Sequence, residues 1–530
     1  GACERTPSPL DRPMSPIQIY DTTLRDGAQR EDISLSLEDK LAIARRLDAF
    51  GVHYIEGGWP GSNPKDAAFF ARVPELGLGH ARVSAFGATR HKHTRCEDDP
   101  NLAALVAAGT PVVTLVGKSW DYHVEHVLGA TRQENLAMIR ESVAWLKHRH
   151  KEVLFDAEHF FDGYRADPEH ALATLEAAAG AGADVLVLCE TNGGALPWEV
   201  EAAVAAVRER LATPLGIHAH NDGGLGVANS LAAVRAGCGH VQGTINGYGE
   251  RVGNANLTTI IPDLQLKMGL PVVDPESLQG LAKLSRFVAE VANLKHDDHA
   301  PYVGRSAFAH KGGIHVAAML KARDTYQHID PEQVGNEMRA VVSELSGRGN
   351  LLHQARSHGL DIDRDQAQQV LHEVKQLEHQ GFSFEAADAS IDLMLHRARE
   401  GYRVPFEVVD FMVVTELRHG RGLLSEATVK VRIDGETTLT AAEGAGPVNA
   451  LAQALHKTLC QVYPQLSDLH LSDYKVRILD GAQGTAAVTR VLVTLQQGER
   501  TWTTVGASPN IIEASWRALS DAMEYALLPV

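Results

Sequence analysis

Cysteine is scarce in this 530-residue chain. Its five residues, Cys3, Cys96, Cys189, Cys238 and Cys460, are odd in number and never spaced as Cys-x-x-Cys. That pattern excludes a disulfide framework and a structural zinc site, and leads us to expect a reducing, cytoplasmic setting. Aromatic residues are also few, at 6%. No apolar run approaches the roughly eighteen residues that a membrane helix needs, so no membrane association is expected. The opening stretch GACERTPSPLDRPMSP lacks the apolar core of a secretory signal. Residues 1–15 are therefore expected to be a disordered leader, with Met14 as the natural start. Basic residues are outnumbered, 50 Lys+Arg against 67 Asp+Glu, for a net charge of −17. Neutralising the phosphates of a nucleic acid or of an anionic lipid surface calls for the opposite balance, so no nucleic-acid partner is expected.

What the chain does have is core material: 44% of its residues are hydrophobic. At roughly 150 residues per domain its length allows two to four domains. From Ile17 to about Leu270, eight short apolar runs alternate with helical stretches: IQIYDTT, VHYIEGG, ARVSAFG, PVVTLVG, EVLFDAE, DVLVLCE, LGIHAHN and HVQGTIN. Eight such units at intervals of about thirty residues predict a (β/α)8 barrel over 16–275. An open dinucleotide-binding sheet is the runner-up, but no Gly-x-Gly-x-x-Gly follows the first run. Residues 276–405 read as a helical connecting subdomain. From 406 to 530 two similar units follow, each with alternating strands and a Gly-containing turn into a helix, GAGPVNALAQAL and GASPNIIEASWRAL. They predict an α+β domain with an internal duplication.

In a (β/α)8 barrel the reacting groups lie at the C-terminal strand ends. The polar residues there include Asp21 to Gln29, Glu56 and Trp59, Asp156 to His159, Glu190 to Asn192, His218 to Asp222 and Asn246 to Arg251. Three His-x-His triplets occur. His91–His93 and His148–His150 fall in charged stretches and are expected at the surface. His218 and His220 follow the apolar run LGI, so both side chains project to one side of a strand at the barrel mouth. Two imidazoles joined by a carboxylate from another strand suit a divalent metal; Asp26 is the favoured carboxylate, with Asn254 as a carbonyl ligand. Arg25, permanently charged, could steady an oxygen as it becomes anionic, or could brace the mouth by pairing with Asp26. Glu158 could act as a base or orient a neighbour, and Thr191 could donate to a substrate carboxylate.

The runs DTTLRDGAQ (21–29), HAHND (218–222) and NGYGERVGNANL (246–257) together resemble the acyl-CoA-condensing family of 2-isopropylmalate, homocitrate and citramalate synthases, related to 3-hydroxy-3-methylglutaryl-CoA lyase. FAHKGGIHV and DTYQHIDPEQVGN resemble that family's helical subdomain, and the duplicated tail resembles its regulatory domain. YIEGGWPGSNPKD, VGKSWDYHV, FDAEHFFDGY and NIIEASW are most similar to the citramalate-synthase branch. Isopropylmalate synthases usually have Glu-Asp where this chain has Glu158-His159, and His-Gln-Asp-Gly where it has His315 to Ala318. The resemblance implies Asp26, His218, His220 and Asn254 as ligands of Mg²⁺ or Mn²⁺, with Zn²⁺ a further candidate. It implies Arg25 on the ketone oxygen, Thr191 on the keto-acid carboxylate, and Gln29 and Glu158 lining the reacting centre. His315 and Tyr326 would reach an active site, that of a partner subunit being one option. Glu158 and His315 stand as joint candidates for the base. Glu56 and Trp59 are assigned to the substrate: Trp59 would suit the methyl of pyruvate, or else simply packs under a loop.

The implied reaction joins acetyl-CoA, as co-substrate, to pyruvate with water, giving (R)-citramalate and CoA and feeding isoleucine synthesis through 2-ketobutyrate. A homodimer and feedback by isoleucine or leucine at the C-terminal domain are implied as well. The alternatives are a 2-isopropylmalate synthase using 2-ketoisovalerate in leucine biosynthesis, a lyase running in the cleavage direction, and a catalytically idle amino-acid sensor.

Overall fold

Each of the eight apolar runs becomes a strand in the computed structural model: β1 (Gln18–Asp21), β2 (Tyr54–Gly58), β3 (Arg82–Ala88), β4 (Val112–Lys118), β5 (Glu152–Glu158), β6 (Val185–Glu190), β7 (Leu215–Ala219) and β8 (His240–Gly243). They close in chain order into a barrel, parallel throughout. The structure describes residues 17–528 apart from 293, 311–317, 319–321, 323–324, 341–350, 353–354, 357–358, 385–386, 421, 480–485 and 499. The expected leader over 1–15, and His315, lie outside the described residues.

The intervening helices carry local start and stop signals. Helix Leu37–Phe50, for example, opens on a reciprocal Ser36–Asp39 capping box and stops at Gly51, whose φ of 98° suits glycine. Strand alternation then sorts the side chains. Ile19, Ile55, Val113, Phe155, Leu188, Ile217 and Val241 belong to one large apolar cluster shared with the helices. Their neighbours Tyr20, Tyr54, Val112, Leu154 and Val187 form a separate cluster. Contacts between non-adjacent strands identify that second cluster as the barrel interior. The Tyr20 and Thr114 hydroxyls, on β1 and β4, are 2.6 Å apart. The Tyr54 hydroxyl donates to Glu152 at 2.7 Å, and Gln242 Nε2 donates to Asp156 at 3.1 Å.

The chain divides into two compact units, one running to Phe308 with Ile329–Glu337, the other comprising Ala309–His328 and Met338–Val530. The stretch expected as a helical connector is shared between them. Helix Leu281–Val291 buries Leu281, Leu284 and Val288 in the barrel's outer apolar cluster. Helices Arg364–His379 and Asp388–Arg397 form a cluster with Val505 and Ala507 in the second unit.

In the tail, strands Glu407–Arg418, Gly422–Ile433 and Glu436–Gly444 form one antiparallel sheet followed by helix Pro447–Val462. Strands His470–Ile478, Thr489–Gln497 and Arg500–Ser508 repeat the pattern before helix Ile511–Ala526. The expected duplication of a β-β-β-α unit is thus present. The two helix starts differ, however. Gly446 offers no side-chain cap, whereas Asn510 Oδ1 accepts from the backbone N–H groups of Ile512 and Glu513. At the second turn the leading N–H groups of the helix are therefore taken up by the chain's own side chain. No helix among the described residues is long and apolar enough to cross a membrane.

Candidate active site

The turn after β1 is organised by its two threonines and Asp21. Asp21 accepts from the backbone N–H and the hydroxyl of Thr23, each at 2.9 Å. The Thr22 hydroxyl accepts from the Asp26 N–H at 3.2 Å and donates to Glu56 at 2.6 Å. This fixes Arg25 and Asp26 at the mouth. The Arg25 guanidinium lies over the Phe86 ring, 3.8 Å from its centroid, donates from Nε to Glu56 at 2.5 Å, and sits 3.7 Å from Asp26. Burial opposes its charge, but Glu56 and Asp26 hold it firmly protonated. Glu56, expected on the substrate, is fully buried and accepts from Tyr20, Thr22 and Arg25. Its carboxylate is bonded to all three of these donors, Arg25 among them.

His218 is the inward residue of β7, between the outward Ile217 and Ala219. His220 follows the strand and forms an isolated bridge with Asn254. The glycines of NGYGERVGNANL make that bridge possible. A Cβ on Gly249 would come within 2.1 Å of Asn254 Nδ2, and one on Gly253 within 2.0 Å of the Gly247 carbonyl. His218 Nε2 lies 3.2 Å from Asp26 Oδ2 and 3.3 Å from His220 Nε2, while His220 Nε2 is 3.8 Å from Asp26. Among the described residues, these three form the one cluster of His, Cys, Asp or Glu donors lying within 4.8 Å of one another.

The donor set fits a divalent cation. All three side chains are buried, and two imidazole nitrogens facing each other beside a carboxylate need a cation or a shared proton between them. Asn254 is buried too: its Nδ2 donates to the Tyr248 carbonyl at 3.2 Å, while Oδ1 has no hydrogen-bond partner among the described residues. Burial would raise the Asp26 carboxyl, yet Arg25 and the two histidines hold it far below the usual carboxylate range. Burial also works against charge on His218, but Asp26 holds its proton above the ordinary histidine value. His220, buried beside His218, is pushed down to about 4.

The remaining expected residues are spread more widely. Glu158, at the end of β5, is partly exposed and ion-paired with Lys118 at the end of β4. The Thr191 hydroxyl accepts the His159 backbone N–H at 2.8 Å, so its own proton is left to donate outward. Gln29 is exposed at the end of a short helical turn. Trp59 packs edge-on against Phe86, with its indole N–H donated to Asn101 at 2.8 Å; through Phe86 it stands one ring away from Arg25. Tyr326 belongs to the second unit and is exposed, its ring 6.4 Å from that of His310. The other two His-x-His triplets are at the surface, as expected. Sequence reasoning passed over Lys118, Phe86 and Gln242. The alternation that singles out His218 also marks Gln242 as inward on HVQG.

A family model described as HMGL-like matches residues 16–288, one described as homocitrate synthase post-HMGL domain-like matches 302–381, and one described as LeuA allosteric (dimerisation) domain matches 385–527. The (R)-citramalate synthase of Synechocystis sp. is 53% identical over 523 residues, covering 96% of this chain and 96% of the relative. The chain belongs to the citramalate synthase family. A second (R)-citramalate synthase, from Geobacter sulfurreducens, is 50% identical over 517 residues, 97% of this chain and 98% of the relative. A probable 2-isopropylmalate synthase from Methanopyrus kandleri is 32% identical over 503 residues, 95% of this chain and 96% of the relative. As a member of the citramalate synthase family, this is an acyl-CoA-condensing transferase on an HMGL-like barrel.

Proposed function

We propose that the chain condenses acetyl-CoA with pyruvate and water to give (R)-citramalate and CoA. The observation that carries this reading is the buried convergence of Arg25, Asp26, His218 and His220 at the mouth of a barrel about half identical to citramalate synthases. A divalent cation held by Asp26, His218, His220 and Asn254, Mg²⁺ or Mn²⁺ before Zn²⁺, supplies Lewis acidity at the keto acid. Thr191 donates its free hydroxyl proton to the substrate carboxylate. A base takes one proton from the acetyl methyl group, and the new carbon–carbon bond forms at the ketone carbon. Arg25 donates to the oxygen as it becomes an alkoxide. Water then splits the thioester, and CoA leaves as the thiol.

Glu158 and His315 are the candidates for the base, and Glu158 is ion-paired with Lys118 at the barrel mouth. Gln29 is further proposed to line the reacting centre, Tyr326 to reach an active site, that of a partner subunit being one option, and Trp59, through Phe86, to limit the acceptor side chain. Thiol release from acetyl-CoA with pyruvate, 2-ketobutyrate, 2-ketoisovalerate and 2-ketoglutarate, with and without chelator, tests the reading. We expect the highest kcat/KM with pyruvate and loss of activity on chelation; preference for 2-ketoisovalerate assigns the chain to 2-isopropylmalate synthesis instead.

The product chemistry fits the supply of 2-ketobutyrate for isoleucine in the cytoplasm. The match of residues 385–527 to an allosteric dimerisation domain supports a homodimer inhibited by isoleucine or leucine. Truncation before Glu407 should abolish such inhibition; an intact chain insensitive to both amino acids removes the regulatory reading.

A further inference from the structure

Below the cation cluster, the barrel interior contains an amide that the reaction scheme does not use. Gln242 on β8 is a register partner of His218 on β7 and of Tyr20 on β1, and is fully buried. Its three polar contacts have a definite sense. Oε1 lies 2.8 Å from His218 Nδ1, while Nε2 lies 3.1 Å from Asp156 Oδ1 and 3.4 Å from His240 Nε2. An amide oxygen can only accept, so this arrangement places a proton on His218 Nδ1. The ring nitrogen facing Asp26 and His220 is then Nε2, the one whose proton a cation would displace.

Reversing the amide changes every proton in the cluster. Its NH₂ group would need His218 Nδ1 as an acceptor, moving the imidazole proton to Nε2. Its oxygen would then face Asp156 and His240, both of which would have to become donors. The two arrangements are discrete, and only one leaves His218 able to bind a cation.

We propose that Gln242 is a positioning residue that sets the tautomer of His218, held in its working orientation by Asp156 from across the barrel and by His240 beside it. The inference rests on Asp26, His218, His220 and Asn254 being a cation site. It extends that reading into the barrel interior, because a ligand's orientation is commonly fixed by the group bonded to its other ring nitrogen.

The test is calorimetric titration of Mn²⁺ into the full-length protein after removal of metal, with thermal unfolding recorded for each variant. Gln242→Met keeps the volume but removes the acceptor, and should weaken Mn²⁺ binding by about ten- to hundredfold. Gln242→Glu combined with Asp156→Asn restores an acceptor to His218 Nδ1 and a donor facing the second oxygen, and should bind within a few-fold of the parent, a rescue that a purely packing role does not produce. If Gln242→Met does not fold, Gln242→Asn carries the same expectation, since its shorter arm withdraws the amide from His218. A folded Gln242→Met or Gln242→Asn with parental affinity overturns the inference, as does a Gln242→Glu/Asp156→Asn double variant no better than Gln242→Met. Asp26→Ala and His218→Ala separate the two readings: if they too bind Mn²⁺ like the parent, it is the cation site itself that fails.

Discussion

Inside the barrel the strands present Tyr20, Glu56, Ser84, Thr114, Asp156, His218, His240 and Gln242, hydrogen-bonded between neighbouring strands and, at Tyr20–Thr114 and Gln242–Asp156, across the barrel. Inside the tail, strands Gly422–Ile433 and Thr489–Gln497 present Ala427, Val429, Val431, Val491, Val493 and Leu495 against leucines and alanines of the two helices. Both interiors are buried, but the barrel adds this polar network to an apolar layer of Tyr20, Tyr54, Val112, Leu154 and Val187, whereas the tail's strands and helices meet through apolar side chains. Apolar area is stabilising in proportion to what is removed from water, about 25 cal/mol per Å², and its main geometric demand is filled volume. A buried polar group left unpaired costs about 1–3 kcal/mol, so each pairing in the barrel's polar network matters to its stability. The tail should therefore fail by cavities, and the barrel by orphaned partners.

Arg25→Ala should break the contrast most severely. It leaves Glu56 buried without its cation, which should lower stability by about 3–5 kcal/mol in denaturant unfolding. It should also reduce thiol release by about 10²–10³-fold. Adding Glu56→Gln should recover much of the stability and none of the activity; recovery of activity would show that Arg25 only braces the mouth.

Leu455→Ala is the matching lesion in the tail. Leu455 is fully buried in helix Pro447–Val462, and the cavity should cost about 2–5 kcal/mol in unfolding of the tail. Mn²⁺ affinity should not change. A loss of affinity comparable to that of the barrel variants would mean that the two interiors are not energetically separate.

His240 sharpens the comparison through pH. Burial, together with the nearby cations, pushes it from the ordinary histidine value near 6.5 down to about 3. A depressed folded value means that the neutral ring contributes stability above pH 6.5, and that this contribution is lost as pH falls towards 3. Between about pH 7.5 and about pH 4.5 the parent should lose about 3 kcal/mol more than His240→Asn. Equal slopes would place His240 outside the polar network. At the other extreme, His148→Ala alters an exposed triplet and should stay within about 0.5 kcal/mol of the parent, with unchanged activity.

Much of this organisation is legible along the chain, because periodicity and local chemistry are properties of neighbouring residues. LGIHAHN reads as a strand with two inward histidines since alternation needs no partner, and β7 has that geometry. The duplicated tail was equally readable from its repeated strand–turn–helix pattern. Glu56 was not. At the end of YIEGG it looks like any carboxylate at a barrel mouth, and it becomes the anchor of Arg25 only because closure brings β1, β2 and β4 around one point. Gln242 escaped for the same reason: its three partners come from β7, β5 and its own strand, and the senses of their hydrogen bonds are set jointly.

The sequence by itself determined the eight strands, the order of the motifs and the residue types able to hold a cation, since each depends on spacing of a few residues. Tertiary structure decided which of those groups meet. His218, Asp26 and Asn254 are far apart in the chain, and only barrel closure and the glycine-rich loop before Asn254 bring their atoms together. It also decided that Glu56 serves Arg25 and that the Gln242 oxygen faces His218, because a buried donor and acceptor must satisfy each other wherever the fold has placed them.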